Sequence, residues 1–489
     1  MRISPYSSDS PAPSTMTGNP ARDLANSVNV RIVLLLLLHV PLAMLMEVSP
    51  WFSTIHALIV LVYGILAGLT GRTTHVLFAL AYIASCEVLW RMSQAHLVWE
   101  YAKYAMVVLV FIALVAEWRL QSDWRRIRTL APIILLVVLL PGAIITILEV
   151  GIVSARDPLS FNLAGYLAMI MMILYFWKRP VNQPTVFRLL MAILAPVVGI
   201  TFLAIYYTAR SLETLDFVAA SNWITSGSFG PNQVSNMMGL GALVGTMLFI
   251  LMPRARAARI FILGLTIIML GQGLLTFSRG GIYSFVLALA VFGFHLMNNP
   301  RTRRRFIVLM TLFAVLLIVG IYPYLDNFTG GVLSDRFSDI DTTGRLELAQ
   351  IDMQAFANNP VAGVGVGQVA RFHEEYIGIA VSAHTEFTRL LAEHGMFGII
   401  AILILGWMII QCYKDNRTGL SRAMTAAFAV WALSIMIHSA MRLAAIPFTL
   451  SLALVLWQLS QTVNIDSRAM APVVPETGTH ELTQPWPTM

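Results

Sequence analysis

The sequence predicts an all-α polytopic membrane protein, and two observations carry that prediction. Of the 489 residues, 57% are hydrophobic and 12% are charged, and the mean hydropathy is +0.74, which is far too apolar for a water-soluble globular domain. Apolar stretches of roughly 17 to 25 residues, long enough to cross about 30 Å of hydrocarbon as helices, recur along almost the whole chain. We count about 14 of them.

The predicted spans fall into an N-terminal block, residues 31–208, and a second block, residues 209–462. They begin near Arg31, Ile55, Thr74, His96, Arg128, Asn162 and Thr185 in the first block, and near Gln233, Ile260, Gly281, Phe306, Met396, Ala423 and Ala445 in the second. Residues 1–30 and 463–489 have no long apolar run and are rich in polar residues and proline. We expect them to be disordered tails.

Lys and Arg recur in alternate loops, which predicts the orientation of the chain. These basic loops are residues 119–128, 178–179, 254–256, 301–305 and 414–422. Because basic residues in short loops are retained on the cytoplasmic side, we expect these loops and both termini there. The formal net charge of +7 is mostly this arginine, so no nucleic-acid partner is expected. The opposite side receives one long segment, residues 326–395.

The first candidate site residue in the long outer segment is Arg345. Residues 341–360 predict an amphipathic helix, with a cap from Thr342 or Thr343, a stop at Pro360, and apolar positions at Leu346, Ile351, Ala355 and Phe356. Arg345 would lie in the first turn, where the helix dipole disfavours a cation. An anionic ligand would explain it. The alternatives are a solvated arginine or a pair with Asp341 or Glu347.

The second candidate is His384, in a helix predicted from a cap at Ser382 to a stop at Gly395. In the first turn of a helix the neutral imidazole is favoured over the cation, and a neutral imidazole can act as a general base. The alternative is an ordinary capping or surface histidine, since three other histidines are equally available: His373, His394 and His438.

The third candidate is Arg279, in the sequence TFSRGG at the outer end of a span. An arginine on this side has no topogenic role, and a guanidinium suits bidentate binding of diphosphate oxygens. The alternative is an arginine that snorkels at the interface. The preceding outer loop, with Asn232, is either the lining of a sugar-binding cleft or a plain turn. Arg210 and Arg442 are further outward-facing basic candidates.

Two other features of the sequence give weaker indications of function. Gly363, Gly365 and Gly367 lack the βαβ context of a nucleotide cradle, and glycine at alternate positions favours close approach of the backbone to a neighbouring helix or a substrate chain. Cys86 and Cys412 are the only cysteines, one within a predicted span and one at a helix end, so we expect neither a disulfide nor a thiolate metal site.

The order of the motifs FGPNQ (229–233), TFSRGG (276–281), GRLELA (344–349), NNPVAGVGVGQ (358–368) and AHTEFTRLLAEHGMFG (383–398) resembles the O-antigen ligase and polymerase superfamily of bacterial membrane glycosyltransferases, over roughly residues 209–457. The resemblance implies a GT-C-like helical fold, a periplasmic active site in the inner membrane, an undecaprenyl-diphosphate-linked oligosaccharide donor and no metal or other cofactor. Its periplasmic histidine and arginines match His384, Arg345 and Arg279. The chain departs from the family at Gly230, which replaces the first Asn of Asn-Pro-Asn, and at Thr385, where Asn is common.

The function expected from these features is inverting, metal-independent transfer of a glycan. His384 would deprotonate the acceptor hydroxyl while Arg279 and Arg345 hold the leaving diphosphate. The expected substrate contacts are Arg210, Asn232, Glu386 and Arg442, with Glu386 orienting the base or competing with it.

The acceptor remains open at this point. The extra N-terminal spans favour a polymerase of exopolysaccharide or O-antigen repeat units, whose acceptor is another lipid-linked repeat. The first alternative is an O-antigen ligase that transfers glycan to lipid A core. A flippase for lipid-linked oligosaccharides is the alternative of another class, and it should carry charge in a central cavity across many helices. Membrane lipids and other polysaccharide-assembly proteins are further candidate partners.

Overall fold

The computed structural model describes residues 20–121, 130–252, 255–297, 300–339 and 344–459. These residues are mostly helical, with two three-residue strands among them. The predicted tail after residue 462 lies outside the described residues, as do Arg125, Arg126, Arg128 and Arg254 of the predicted basic loops. The first helix begins at Pro20 and therefore extends into the segment that we expected to be a disordered tail.

In chain order the described α-helices are α1 (Pro20–Val48), α2 (Pro50–Leu69), α3 (Thr73–Met92), α4 (Tyr101–Gln121), α5 (Ala131–Val150), α6 (Ile152–Phe176), α7 (Gln183–Arg210), α8 (Pro231–Leu251), α9 (Arg256–Leu275), α10 (Arg279–Leu296), α11 (Pro300–Val315), α12 (Tyr322–Phe328), α13 (Val332–Ser338), α14 (Arg345–Asn358), α15 (Val369–Ile377), α16 (Glu386–His394), α17 (Met396–Asp415), α18 (Gly419–His438) and α19 (Ala445–Leu452). A π-helical segment (Leu316–Ile321) joins α11 to α12, and the strands are β1 (Pro180–Asn182) and β2 (Leu456–Gln458).

Within the described residues, 13 helical segments are long and apolar enough to cross a membrane, which confirms the all-α polytopic fold. They correspond to the first 13 predicted spans. α6 begins at Ile152, well before the predicted start at Asn162, because Arg156, Asp157 and Pro158 interrupt its apolar run without interrupting the helix. α8 and α7 lie at the centre of the bundle, with 89% and 78% of their most apolar windows buried.

The fourteenth predicted span, from Ala445, is not a full helix. α19 ends after eight residues, and the chain continues into β2, which pairs in parallel with β1. Irregular backbone inside a membrane protein requires partners from the protein itself. Asn416 supplies them, because its side chain donates to the Val455 carbonyl at 3.0 Å and accepts from the Trp457 N–H at 2.9 Å. The expectation of one more spanning helix is therefore wrong.

Successive spans alternate in direction, so the bundle has two distinct ends. We call the end that carries residues 329–395 the loop face, and the opposite end, where β1 and β2 pair, the basic face. Residues 329–395 contain the short helices α13 to α16, as predicted for the long loop. They rest on α5 and α6, and the Val366 N–H donates to the Gly142 carbonyl at 3.2 Å.

The alternate glycines make this close packing feasible. Gly363, Gly365 and Gly367 all have positive φ, at 75°, 91° and 75°. A Cβ added at Gly365 would lie 2.9 Å from Thr146 Oγ1, and one added at Gly367 would lie 2.6 Å from Pro158 Cβ. Both distances are shorter than a normal van der Waals contact. The prediction that these glycines let the backbone approach a neighbouring helix is confirmed.

Candidate active site

The TFSRGG turn is held against the start of α8. Ser278 Oγ donates to Asn232 Oδ1 at 2.6 Å, and Ser235 Oγ donates to the Ser278 carbonyl at 2.9 Å. Gly281 packs directly on the Ser235 backbone, where a Cβ would clash. The position of Arg279 at the start of α10 is therefore set by α8.

Arg279 is further anchored by α13. Its guanidinium donates to the backbone carbonyl of Asp339, and more weakly to that of Arg336 at 3.4 Å. In return the buried Arg336 side chain donates to the Phe277 carbonyl at 3.2 Å. Two arginines therefore lie side by side where α10 meets α13.

Arg345 occupies the first turn of α14, as predicted, next to these arginines. Residues 340–343 lie outside the described part of the chain, so the predicted caps Thr342 and Thr343 are not placed, and neither is Asp341. The observed cap is Gly344 in a left-handed conformation. Burial lowers the pKa of Arg345, and the positive charges of Arg279, Arg336 and Arg442 lower it further. The described residues include no carboxylate within ion-pair distance of Arg345.

His384 lies in a bend before α16. The helix was expected to begin at Ser382, but it begins at Glu386, with the side chain of Thr385 accepting the Thr388 N–H at the cap. Burial, followed by the charges of Arg442 and Arg345, lowers the pKa of His384 to about 4. The imidazole is therefore neutral at neutral pH. The expected neutral state holds, but its causes are burial and the arginines rather than the helix dipole.

Arg442 completes this group from the other side. It lies between α18 and α19, and its guanidinium donates to the Ala383 carbonyl, one residue before His384, at 3.4 Å. Burial and the charge of Arg389 lower the pKa of Arg442, despite the opposing effect of Glu386. We call Arg279, Arg345, His384 and Arg442 the cation cluster. All four side chains are half-buried, so an anion from solution can reach them.

Residues 264–403 match the protein-family model described as O-antigen ligase. The chain carries an O-antigen ligase domain. That domain contains Arg279, Arg345 and His384, and Arg442 follows it in the chain. No curated protein matches the chain.

A second histidine, His373, joins α14 to the segment before α16 within the O-antigen ligase domain. His373 Nε2 lies 2.9 Å from Asp352 Oδ1, and its Nδ1 lies 2.5 Å from the Val381 carbonyl. Thr388 Oγ1 donates to Asp352 Oδ2 at 2.5 Å. Burial alone would lower the pKa of His373, but its bonds to Asp352 and Val381 raise it above the ordinary value. This clamp fixes α14, which carries Arg345, to the bend that carries His384.

The sequence contained a signal for this clamp. Asp352 lies on the buried face of α14 together with Leu348, Ile351 and Ala355. A carboxylate on the apolar stripe of a helix requires a buried partner. Leu346, which we expected on that stripe, is 60% exposed.

Glu386 belongs to a buried network, not to an open cleft. Its carboxylate pairs with Arg389, accepts the Tyr166 hydroxyl, and accepts the Met441 N–H at 2.7 Å. Arg389 also donates to Asn162 at 2.7 Å and pairs with Glu393 at 3.4 Å. We call Tyr166, Glu386, Arg389 and Glu393 the ion network. Burial alone would raise the pKa of Glu386, but Arg389 and these hydrogen bonds hold it below the ordinary value.

The remaining predicted substrate contacts are placed differently. Asn232 supports the Arg279 turn, as described above, and is half-buried. Arg210 is exposed at the end of α7 beside Tyr207, and no described hydrogen bond or ion pair connects it to the cation cluster. Glu386 has both oxygens occupied by protein groups, which suits positioning of Met441 and Arg442 rather than contact with a sugar.

Among the described residues, no group of three or more His, Cys, Asp or Glu side chains is arranged to hold a metal ion. Cys86 and Cys412 are both buried and free.

Proposed function

We propose that this protein is a membrane glycosyltransferase that acts on undecaprenyl-diphosphate-linked glycans at the periplasmic side of the bacterial inner membrane. The observation that carries the proposal is the cation cluster, in which the neutral imidazole of His384 lies among arginine side chains. One of these arginines, Arg345, has no carboxylate partner among the described residues. A neutral base beside the guanidiniums of Arg345 and Arg442 suits an acceptor hydroxyl and an anionic leaving group. The O-antigen ligase domain supports the same class of reaction.

In the proposed mechanism, His384 accepts the proton of an acceptor sugar hydroxyl. The oxygen forms a bond to the anomeric carbon of the donor, while the bond from that carbon to the diphosphate oxygen breaks and the electron pair leaves with the diphosphate. Arg279 and Arg345 stabilise the charge that develops on the leaving group, and Arg442 adds to the potential. Direct displacement inverts the anomeric centre, and the proton ends on His384.

We favour polymerisation of repeat units over ligation to lipid A core, because seven spans precede the second block of the chain. The position of the cation cluster supports a transferase over a flippase. Its arginines lie at one end of the bundle, whereas translocation of a diphosphate needs charge along a path across the membrane.

The proposal is tested by expressing the chain in a strain that lacks its own copy, beside Arg279→Ala, Arg345→Ala and His384→Ala at matched protein levels. Separation of the surface glycans by size gives the result. Long polymer restored by wild type alone supports the polymerase, and transfer of preformed chains to lipid A core identifies a ligase. Full activity in all three variants contradicts a transferase that uses these residues.

A further inference from the structure

A cavity of about 290 Å³ lies under the loop that joins α3 to α4, in the N-terminal helices and outside the O-antigen ligase domain. Its lining includes Glu87, Trp90, Arg91, Gln94, Trp99 and Tyr101. The volume is close to the lower limit of small-molecule sites, about 300 Å³. It suits one sugar ring rather than a lipid chain.

The walls of the cavity combine buried charge with aromatic rings. Arg91 Nη2 pairs with Glu87 Oε1 at 2.8 Å, and the two side chains are 7% and 3% exposed. The Arg91 guanidinium lies over the Trp99 ring, 4.4 Å from its centroid. Arg91 Nε is buried and has no hydrogen-bond partner among the described residues.

The polar atoms of two of the aromatic residues are used elsewhere. Trp90 Nε1 donates to His56 at 3.1 Å, and the Tyr101 hydroxyl donates to the Ala57 carbonyl at 2.9 Å. What these side chains offer to the cavity is their ring surface. A pyranose has an apolar C–H face and a rim of hydroxyls, so it matches ring surface beside Arg91 Nε, which has no described partner. Because Glu87 neutralises Arg91, the cavity has no preference for a diphosphate.

The cavity is joined to the cation cluster by direct contacts. Arg91 Nη1 donates to Gln233 Oε1 at 3.1 Å and to the Arg442 carbonyl at 3.4 Å. Glu87 Oε2 accepts the Ala444 N–H at 2.6 Å. Arg442 in turn contacts Ala383, next to His384. Residues 442–444 therefore contact both the lining of the cavity and the backbone next to His384.

The two ends of the cation cluster have different supports. Arg279 is held by α8 and α13, whereas Arg442 is held by α3 and the His384 bend. In a displacement with inversion, the acceptor and the leaving group lie on opposite sides of the anomeric carbon. If Arg279 and Arg345 hold the leaving diphosphate, the acceptor belongs on the Arg442 side, where Arg91 and Glu87 of the cavity bond to the backbone of residues 442–444.

We propose that the cavity lined by Glu87, Trp90, Arg91, Trp99 and Tyr101 binds a sugar unit of the acceptor glycan. The assignment of the bound sugar to the acceptor rests on the proposed function, whereas the ability of the site to bind a sugar rests on the cavity alone. It assigns a substrate site to helices α3 and α4, which the O-antigen ligase match does not include.

The test uses the full-length protein in lipid nanodiscs. The probe is the free repeat-unit oligosaccharide released by mild acid from the lipid-linked pool that accumulates in the deletion strain. Binding is measured by calorimetry, and transfer is measured with the intact lipid-linked glycan. The variants are Trp99→Ala, which removes a 53% exposed ring, Trp99→Phe, which keeps a ring, and Trp223→Ala as a matched control, since Trp223 is an exposed tryptophan outside the cavity.

We expect Trp99→Ala to weaken oligosaccharide binding by about tenfold or more and to raise the acceptor KM with little change in kcat. Trp99→Phe should retain most of the affinity, and Trp223→Ala should match wild type. Equal binding by Trp99→Ala and wild type would overturn the inference, as would a wild type that transfers glycan but binds no free oligosaccharide. Binding that depends on Trp99 in a wild type without transferase activity would leave the sugar site standing and remove the proposed function.

Discussion

The loop face contains two groups of charged side chains that differ in how their charges are balanced. In the ion network, Arg389 pairs with Glu386 and Glu393, and the acidic side chains hold its pKa above the ordinary value. In the cation cluster, Arg345 meets other arginines, and its pKa is lowered. The paired charges hold α16 against α6, whereas Arg345, with no described carboxylate partner, favours an anion from outside.

This difference separates residues that determine stability from residues that determine chemistry. A buried charge with its partner in place stabilises the fold only while both partners remain. Like charges held together by the backbone cost free energy in the absence of a ligand, and this cost is offset when an anion binds. The following substitutions test the two groups against each other.

The largest effect is expected from His384→Ala. Loss of a general base should lower kcat by about 10²- to 10⁴-fold without loss of folded protein. The measurement is the initial rate of glycan transfer by purified protein, at equal amounts of monodisperse enzyme. His96→Ala is the control, since His96 is an exposed histidine on the same face. A rate for His384→Ala within a few-fold of that of His96→Ala would contradict the assignment of the base.

Arg389→Ala should act on stability instead. It leaves Glu386 and Glu393 buried without their partner, and breaking such a pair costs about 3–5 kcal/mol. The expected result is a marked fall in the Tm and a low yield of folded protein, measured by thermal unfolding in detergent. Arg371→Ala, at an exposed arginine of α15, should leave the Tm unchanged. An unchanged Tm in Arg389→Ala would show that the ion network does not support the fold.

Arg345→Gln is expected to give the opposite pattern, with lower activity and unchanged or higher stability. Removal of one charge that stabilises the leaving group should lower kcat by about 10²- to 10³-fold. Because the charge of Arg345 lowers the pKa of His384, its removal should raise that pKa from about 4. The neutral base is the active form, so activity is lost as the pH falls through this pKa. The acid limb of the kcat/KM profile should therefore move to higher pH, whereas Arg371→Gln should leave it in place.

The smallest effect concerns the clamp between His373 and Asp352. The pKa of His373 is raised above its ordinary value of 6.5 in the folded protein, so this pair contributes stability that is complete below pH 6.5. The contribution is lost as the pH rises through the raised pKa. The difference in Tm between wild type and Asp352→Asn should therefore be largest below pH 6.5 and should narrow at higher pH. A difference that widens with pH would mean that His373 is neutral in the fold.

Much of the architecture was accessible from the sequence because the membrane imposes strict rules. Hydropathy and span length predicted about 14 spans, of which the first 13 correspond to helices in the described part of the chain. Alternation of the spans predicted that Arg279, Arg345 and His384 share one face. The fourteenth span was wrong for a physical reason. Residues 453–455, where the helix has already ended, are as buried and apolar as α19 itself. Only the positions of its hydrogen-bond partners, such as Asn416, distinguish the two.

The details of the site depended on contacts between distant parts of the chain. Glu386 bonds to Tyr166, 220 residues earlier, so its buried role has no local trace. The spacing of Glu386, Arg389 and Glu393 along one helix face did allow mutual pairing, and this is a usable signal. The choice between Ser382 and Thr385 as the cap of α16 rested on tertiary packing, because Asp352 holds Thr388.

The pairing of β1 with β2 has a consequence for the assembly of the chain. β1 ends at Asn182, and its partner strand begins only at Leu456. About 270 residues therefore separate the two strands along the chain. During synthesis, the backbone groups of residues 180–182 have no strand partner until residues 456–458 are made. The strand pair therefore forms late, and it joins the segment between α6 and α7 to the segment after α19.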